Sequence, residues 1–397
     1  MHPADDLRGV SSNKLSQKTI ILGVTGSIAA VETVKLAREL IRHGADVVPV
    51  MTKSASRLIH PDALEFATSH KPIIDLSGKT EHIFFCGLVK DPADLLLICP
   101  CTANTISKIA HGIDDTAVTT FATTAIGSNI PINIVPAMHL SMYKHKGLQK
   151  NIETCKELGI SFIQPDIDQT KAKMPGIDEI VANVIKNIGS QDLKDKSVLI
   201  IGGATAEPID DIRILTNKSS GKTAVSLART AFERGACVEA WYGYASAPMP
   251  SYISVKHFQT IQDIFGLLKD NTKTFDVIIV CAALADYLPK KQKGKLSSGK
   301  QNMAFECVPA PKVIQTIRDI APKSTLIAFK AEENKKDLIK EATTLLSANN
   351  LDVVVANTLS AFGADDNEII IVDKNKKTMI KKGKKDELAT YILDTIT

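Results

Sequence analysis

Eight short apolar runs, often β-branched and none broken by a charge, recur along the chain: Thr19 to Val24, Val47 to Met51, Leu95 to Cys99, Ile132 to Val135, Val198 to Ile201, Val277 to Cys281, Leu326 to Phe329 and Val353 to Ala356. A strand with one wet face alternates apolar and polar residues. Unbroken runs instead suit strands covered on both faces, which in practice means largely parallel sheets with helical crossovers. The fold class is therefore α/β.

An internal echo sets the domain count. Val34 to Val47 (VKLARELIRHGADV) and Val225 to Val238 (VSLARTAFERGACV) share Val, Leu, Ala, Arg, Gly, Ala and Val at matching offsets. Each copy places apolar residues at helical spacing, and Gly44 or Gly235 supplies a left-handed C-terminal cap before the next strand. Two Rossmann-like, three-layer units follow, starting near Thr19 and Ser197. The expected boundaries are a disordered tail over 1–18, a first domain over 19–189 and a second over 190–397.

A length of 397 residues with 44% hydrophobic content supports two cores. With 48 basic against 44 acidic residues, the net charge of +4 is too weak for a bulk polyanion partner, so nucleic acid is not expected, whereas small phosphorylated molecules are. No apolar run approaches the roughly 18 residues that span a bilayer, and residues 1–18 lack the apolar core of an export signal. No membrane role and a cytoplasmic location are expected. The cysteines number seven, an odd and scattered set that suits a reducing compartment. Cys99-Pro100-Cys101 lacks the spacing of common zinc sites, so no protein-held metal is expected. Lys385-Asp386-Glu387-Leu388 spells a retention signal, but one that is read only at a free C-terminus.

The turn Thr25-Gly26-Ser27-Ile28 after the first run offers backbone N–H groups and a hydroxyl to an anion. One glycine after a strand fits many turns, so this segment alone defines no site. The third run repeats the pattern with Thr102-Ala103-Asn104-Thr105, and the fourth leads through Pro136-Ala137-Met138-His139 to Leu140-Ser141-Met142-Tyr143. In this order and spacing, over about Ile20 to Ile188, these segments resemble the flavin-dependent cysteine decarboxylases, which carry a glycine-serine turn, a PASANT-like stretch and a PxMNxxM(W/Y) motif. The resemblance implies a flavodoxin-like domain with FMN at the strand ends, bound by Gly26, Ser27, Ile28, Thr52, Thr102, Ala103, Asn104 and Ala137. It implies a substrate site at Pro136, Ala137, Met138, His139 and Met142, and His82 as catalytic base. Oxidising the CH2–SH carbon of a cysteinyl group gives a thioaldehyde, the electron sink that the departing carboxylate needs, and the resulting enethiol is then reduced.

Two departures stand out. The family's asparagine after Pro-Ala-Met is His139 here, for which substrate clamping and proton transfer both remain open. The flap, Gln169 to Gly176, holds no cysteine to protonate the intermediate; Lys171 and Lys173 are its candidates for a proton or a phosphate contact.

The second half carries Gly202-Gly203 after its first run, then Thr216-Asn217-Lys218-Ser219-Ser220-Gly221-Lys222. The latter falls one glycine short of a Walker A loop, so a P-loop ATPase is not supported. With Ala282-Ala283-Leu284-Ala285-Asp286-Tyr287, Lys295, Ala310 to Val313 and Ile327-Ala328-Phe329-Lys330-Ala331-Glu332, the segment from Ser197 to about Thr397 resembles phosphopantothenate-cysteine ligase through its SNxSSGK, AAxADY and GFxxE motifs. The fusion in this order resembles the bifunctional enzymes of coenzyme A biosynthesis.

That resemblance implies CTP as co-substrate, with Mg2+ on its phosphates, and an acyl-cytidylate that activates the pantothenate carboxylate for the cysteine amine. By motif position Asn217 and Lys295 are catalytic, and Gly202, Gly203, Cys281, Ala282, Asp286, Lys295, Ala310, Pro311, Lys312, Val313 and Phe329 bind the nucleotide. Family lysines on the helix after GFxxE are replaced near Thr343 and Ser347, leaving Lys340 as the nearest substitute. The lysines from Lys374 to Lys385 are expected in a hairpin with a solvated basic turn, and Lys291, Lys293, Lys295 and Lys300 in a basic loop. The expected assembly is a homo-oligomer, trimeric through the flavin domain and dimeric through the ligase domain. One alternative is a ligase fused to an FMN-binding domain that regulates, or that decarboxylates only oxidatively.

Overall fold

Each unbroken apolar strand receives cover on both faces. The computed structural model describes residues 2–270, 275–296, 304–332, 337–358 and 366–397. The chain divides into two compact units, Met1–Ser190 and Gln191–Thr397.

In the first unit the strands are β1 (Thr19–Val24), β2 (Asp46–Met51), β3 (Leu95–Cys101), β4 (Ile132–Pro136), β5 (Met138–His139), β6 (Ser161–Phe162), β7 (Asp166–Ile167) and β8 (Lys171–Lys173). The helices are α1 (Thr33–Arg42), α2 (Pro61–Thr68), α3 (Glu81–Cys86), α4 (Ala103–Ala110), α5 (Ala117–Gly127), α6 (Leu140–Tyr143), α7 (Lys146–Glu157) and α8 (Ile177–Ile188). The main sheet is parallel with order β2-β1-β3-β4-β6, the flavodoxin-like doubly wound arrangement. Ile20, Leu22 and Val24 pack with α1 and α8, while Ile21, Leu96 and Ile98 pack with α4, α5 and α7. Both faces are thus apolar, and each such side chain contributes about 1.5–3 kcal/mol over exposure.

The disordered tail expected over 1–18 is not what the structure holds. Ala4 and Leu15 are buried in the first core, and the N–H groups of Gly9, Ser11 and Leu15 donate to the carbonyls of Ile41, Arg42 and His43. The segment satisfies the carbonyls that the end of α1 leaves without helical partners.

At the head of β2, His70 Nε2 lies 3.0 Å from the Asp46 carboxylate. This hydrogen bond raises His70 above its ordinary value and lowers Asp46 below its own. The His70 contribution to stability is complete below its unfolded value of 6.5 and is lost as pH rises through the raised folded value. The Asp46 contribution is lost only in acid. Both groups are half-exposed, so the effect is screened. The melting temperature is expected to fall by about 1–3 °C between about pH 6 and about pH 8, and a His70→Asn variant should flatten that slope in a thermal scan.

In the second unit the strands are β9 (Ser197–Gly202), β10 (Ala206–Pro208), β11 (Ile214–Thr216), β12 (Cys237–Tyr242), β13 (Ser254–His257), β14 (Val277–Val280), β15 (Tyr287–Pro289), β16 (Cys307–Pro309), β17 (Thr325–Glu332), β18 (Val353–Thr358), β19 (Asp366–Asp373) and β20 (Thr378–Lys384). The helices are α9 (Lys222–Glu233), α10 (Ile261–Asp270), α11 (Val313–Ile320), α12 (Leu338–Ala348) and α13 (Lys385–Leu393). The sheet order β13-β12-β9-β14-β17-β18-β19-β20 is a Rossmann-type parallel core extended by the antiparallel hairpin β19–β20. Helices α9 and α13 cover one face, and α10, α11 and α12 the other. Gly44 and Gly235, the two echoed glycines, adopt φ of +102° and +98° as left-handed caps.

Candidate functional site

In a doubly wound sheet, ligands bind outside the carboxyl ends of the strands, where the strand order reverses. In the first unit that point lies between β1 and β3. Gly26, Ser27 and Ile28 follow β1, Thr52 follows β2, Thr102, Ala103 and Asn104 follow β3, and Ala137 follows β4, so every residue expected to hold a flavin stands on one of four strand ends.

Hydrogen bonds lock these turns together. Ser27 Oγ donates to the Ala137 carbonyl at 3.0 Å, Thr25 Oγ1 to the Pro100 carbonyl at 2.8 Å, and Thr102 N–H to Thr25 Oγ1 at 3.0 Å. Thr102 also caps α4, accepting from Thr105 N–H. A Cβ on Gly26 would lie 2.6 Å from the Ser54 side chain, so the turn after β1 approaches its neighbour too closely for any other residue.

The substrate motif Pro136 to Met142 leaves β4 and meets the flap. Met138 pairs with Ala172 and His139 with Lys171, and Leu140 N–H donates to the Thr170 carbonyl at 2.8 Å. Ala172 is buried, and Met138 packs on the core. Lys173 is committed to Asp168 at 2.5 Å, whose carboxyl this contact holds well below its usual range. Lys171 has no side-chain partner among the described residues.

His82 stands on α3, and among the described residues no hydrogen bond joins it to the crevice. Its Nδ1 is buried without a partner. Beside it Ile83 and Phe84 are exposed, and Ile28, Val31 and Leu88 add further apolar surface, with Leu88 88% exposed. The strand-end turns fit a bound flavin and would hold it, while the orphaned imidazole nitrogen lacks a partner that a ligand or neighbouring chain can supply.

The second unit holds a cavity of about 940 Å³ at the carboxyl ends of its parallel strands. Of the residues expected to bind nucleotide, Gly203, Cys281, Ala282, Asp286, Ala310 to Val313 and Phe329 line it, as does Asn217. Asn217 Nδ2 donates to the carbonyls of Ala283 and Leu284, both at 3.2 Å, tying the SNxSSGK loop to the AAxADY loop. Desolvation pushes the Cys281 thiol up to about 12, which makes it a neutral wall and not a nucleophile.

Two expected nucleotide contacts are not in the lining. A Cβ on Gly202 would lie 2.2 Å from that of Ala224, so this glycine serves the close packing of α9 on β9. Lys295 is exposed on the loop after β15, and Lys300 of the same basic loop lies outside the described residues.

Besides the expected Lys312, the lining holds lysines that were not legible as ligands. Lys218, Lys222, Lys312, Lys330 and Lys385 line the cavity against one acid, Asp286, among its described lining residues. Lys340 is exposed and outside the lining, where α12 presents Leu345 and Ala348 instead. The β19–β20 hairpin forms as expected, but Lys385 opens α13 at the cavity wall. The signal was masked because Lys385 ends a run of surface lysines.

Together these features define a two-domain enzyme with a flavoprotein module followed by a module whose cationic cavity suits polyphosphate. Residues 8–189 match the flavoprotein family, and residues 193–397 match the DNA/pantothenate metabolism flavoprotein C-terminal domain. The coenzyme A biosynthesis bifunctional protein CoaBC of Thermococcus kodakarensis is 42% identical over 402 residues, covering 100% of this chain and 99% of the relative. Its counterpart from Methanocaldococcus jannaschii is 38% identical, covering 100% and 97%. A crystal structure of the C-terminal domain of a CoaBC protein is 28% identical, covers 52% of this chain and 96% of that one, and superposes with a TM-score of 0.43. The chain belongs to the family of coenzyme A biosynthesis bifunctional proteins, CoaBC. It is accordingly an enzyme of coenzyme A biosynthesis with decarboxylase and ligase activities. No described helix is long and apolar enough to cross a membrane, and no group of described side chains forms a metal site.

Proposed function

We propose that the second unit joins cysteine to 4′-phosphopantothenate at the expense of CTP with Mg2+, and that the first unit, with FMN, decarboxylates the product to 4′-phosphopantetheine. A pantothenate carboxylate oxygen attacks the α-phosphorus of CTP and pyrophosphate leaves; the cysteine amine then attacks the acyl carbon and CMP departs. The observation that carries this reading is the charge of the cavity, whose described lining holds five lysines, of which Lys330 is paired with Glu332, against one carboxylate in a chain whose net charge is only +4. Such a site binds a polyphosphate and stabilises the charge that develops on leaving pyrophosphate.

In the first unit, bound FMN supplies the two-electron acceptor that a cysteinyl carboxylate lacks. Gly26 to Ile28, Thr52 and Thr102 to Asn104 hold it, Pro136 to Met142 hold the substrate, and His82 assists deprotonation. The exposed apolar side chains of Ile28, Val31, Ile83, Phe84 and Leu88 support association through this domain, and the resemblance to the family supplies the reading of a trimer here and paired ligase domains. The proposed location is the cytoplasm.

Purified protein incubated with phosphopantothenate, cysteine, Mg2+ and either CTP or ATP tests the reading when pyrophosphate and CO2 are followed separately. Pyrophosphate release with CTP, and CO2 release only when cysteine is present, are expected; neither product with either nucleotide overturns it. Lys385→Ala should raise the KM for CTP roughly tenfold through loss of one partly shielded charge contact, measured by pyrophosphate release.

A further inference from the structure

The segment between β9 and β11 carries the loops that surround the second unit's cavity. Thr205 Oγ1 accepts from Ala285 N–H at 3.0 Å, and the Thr205 carbonyl accepts from Thr216 Oγ1 at 2.7 Å, so the AAxADY loop and the strand that leads into the SNxSSGK loop both rest on it. Five residues further on, two adjacent carboxylates take hold of the basic loop after β15. Asp211 Oδ2 accepts from Gly294 N–H at 2.9 Å and Asp210 Oδ2 from Leu296 N–H at 3.1 Å, while the Ile209 carbonyl accepts from Gln292 N–H at 2.9 Å. Gly294 turns the loop at φ +79°, a left-handed conformation that favours glycine. The backbone is thus tied down on both sides of Lys295, which is itself exposed and whose ammonium has no partner among the described residues.

We infer that Asp210 and Asp211 are positioning residues that hold Lys295 ready for the phosphates of the nucleotide. This rests on the motif reading that gives Lys295 a catalytic part in the ligase reaction proposed above. The Asp210 side chain is wholly buried, a costly place for a carboxylate unless its hydrogen bonds are met, and they are met. Oδ1 accepts from the N–H groups of Ile212 and Arg213, and Oδ2 from Leu296 N–H and the Arg213 guanidinium. Asp211 is exposed and pairs with Lys291 at 3.0 Å. Each carboxylate therefore has its own cation, Arg213 or Lys291, and the charge of Lys295 stays uncancelled for a polyphosphate. A loop carrying Lys291, Lys293 and Lys295 repels itself and would otherwise donate its N–H groups to water. Anchoring it through the backbone orders the loop before the nucleotide arrives and leaves the lysine side chain available at the step in which pyrophosphate leaves.

A double-mutant cycle on the full-length protein tests this, with 4′-phosphopantothenate, cysteine, CTP and Mg2+ supplied and pyrophosphate release followed. Lys295→Ala should lower kcat roughly 10²–10³-fold. Asp210→Asn should lower it roughly 10- to 100-fold and Asp211→Ala roughly threefold to tenfold, with the KM for cysteine unmoved in both. In the Lys295→Ala background neither aspartate change should lower kcat by more than about twofold, because nothing is left to position. Aspartate effects that persist in full in that background, as those of plain structural residues would, overturn the inference, and so does wild-type kcat in both aspartate variants. Asp211→Ala alters an exposed side chain and carries the cycle alone if Asp210→Asn does not fold. Hydrogen exchange over residues 291–296 should quicken in each aspartate variant, and unchanged exchange overturns the anchoring itself. Lys295→Ala with wild-type kcat would instead sink the motif reading and the inference with it, while wild-type protein that releases no pyrophosphate would sink the ligase reading.

Discussion

Replacing His82 with asparagine is expected to slow CO2 release from 4′-phosphopantothenoylcysteine by roughly 10²–10⁴-fold, the range a positioned acid–base group contributes. Asparagine keeps comparable bulk and hydrogen-bonding capacity but cannot take a proton. The residue suits the assigned role because its surroundings leave it unfinished: Nδ1 is buried without a partner, on a short helix whose neighbours Ile83 and Phe84 face outward. A histidine that merely filled surface volume would turn that nitrogen to water. Two controls separate lost chemistry from lost structure. The flavin absorbance should persist, since the expected flavin contacts follow the ends of β1 to β4 and are not on α3. Pyrophosphate release by the second unit should also continue, because its cavity is built wholly from residues after Gly202. CO2 release within tenfold of wild type would remove His82 from the reaction.

The strands were legible because burial on both faces writes itself into sequence as unbroken apolar runs, and β1 begins and ends at the residues those runs mark. That the residues expected at the flavin gather at one edge was legible for a related reason, since a parallel sheet delivers its strand ends there. What the sequence hid depends on partners distant in the chain. Leu15 sits in a polar segment that looks disordered until the end of α1 is placed beside it, offering carbonyls to its backbone. Lys385 belongs by composition to a solvated basic stretch, and only the return of β20 brings the start of α13 to the cavity. Gly202 looked like a phosphate contact because glycine after a strand commonly is one; its space is taken by Ala224.

The second large effect concerns Asn217, where aspartate should be worse than alanine. The carboxamide of Asn217 spends its N–H bonds on the Ala283 and Leu284 carbonyls, holding the loop that carries Asp286 against the loop that opens α9. Alanine forfeits two hydrogen bonds of about 1 kcal/mol each, so pyrophosphate release should fall roughly 30- to 100-fold in kcat/KM as the two loops lose register. Aspartate forfeits the same bonds and faces a carboxylate at two carbonyl oxygens that have only lone pairs to offer. It also adds a negative charge to a cavity lined by lysines, where the proposed polyphosphate would be repelled. A loss of roughly 10³-fold or more is expected, partly as a raised KM for CTP, while CO2 release from supplied 4′-phosphopantothenoylcysteine stays intact in the other unit. The ranking carries the argument. Loss of a donor alone would leave aspartate and alanine equally impaired, whereas a strut between two carbonyls in an anion-binding cavity puts aspartate below alanine, and an aspartate variant within tenfold of wild type would show that Asn217 holds neither loop nor intermediate.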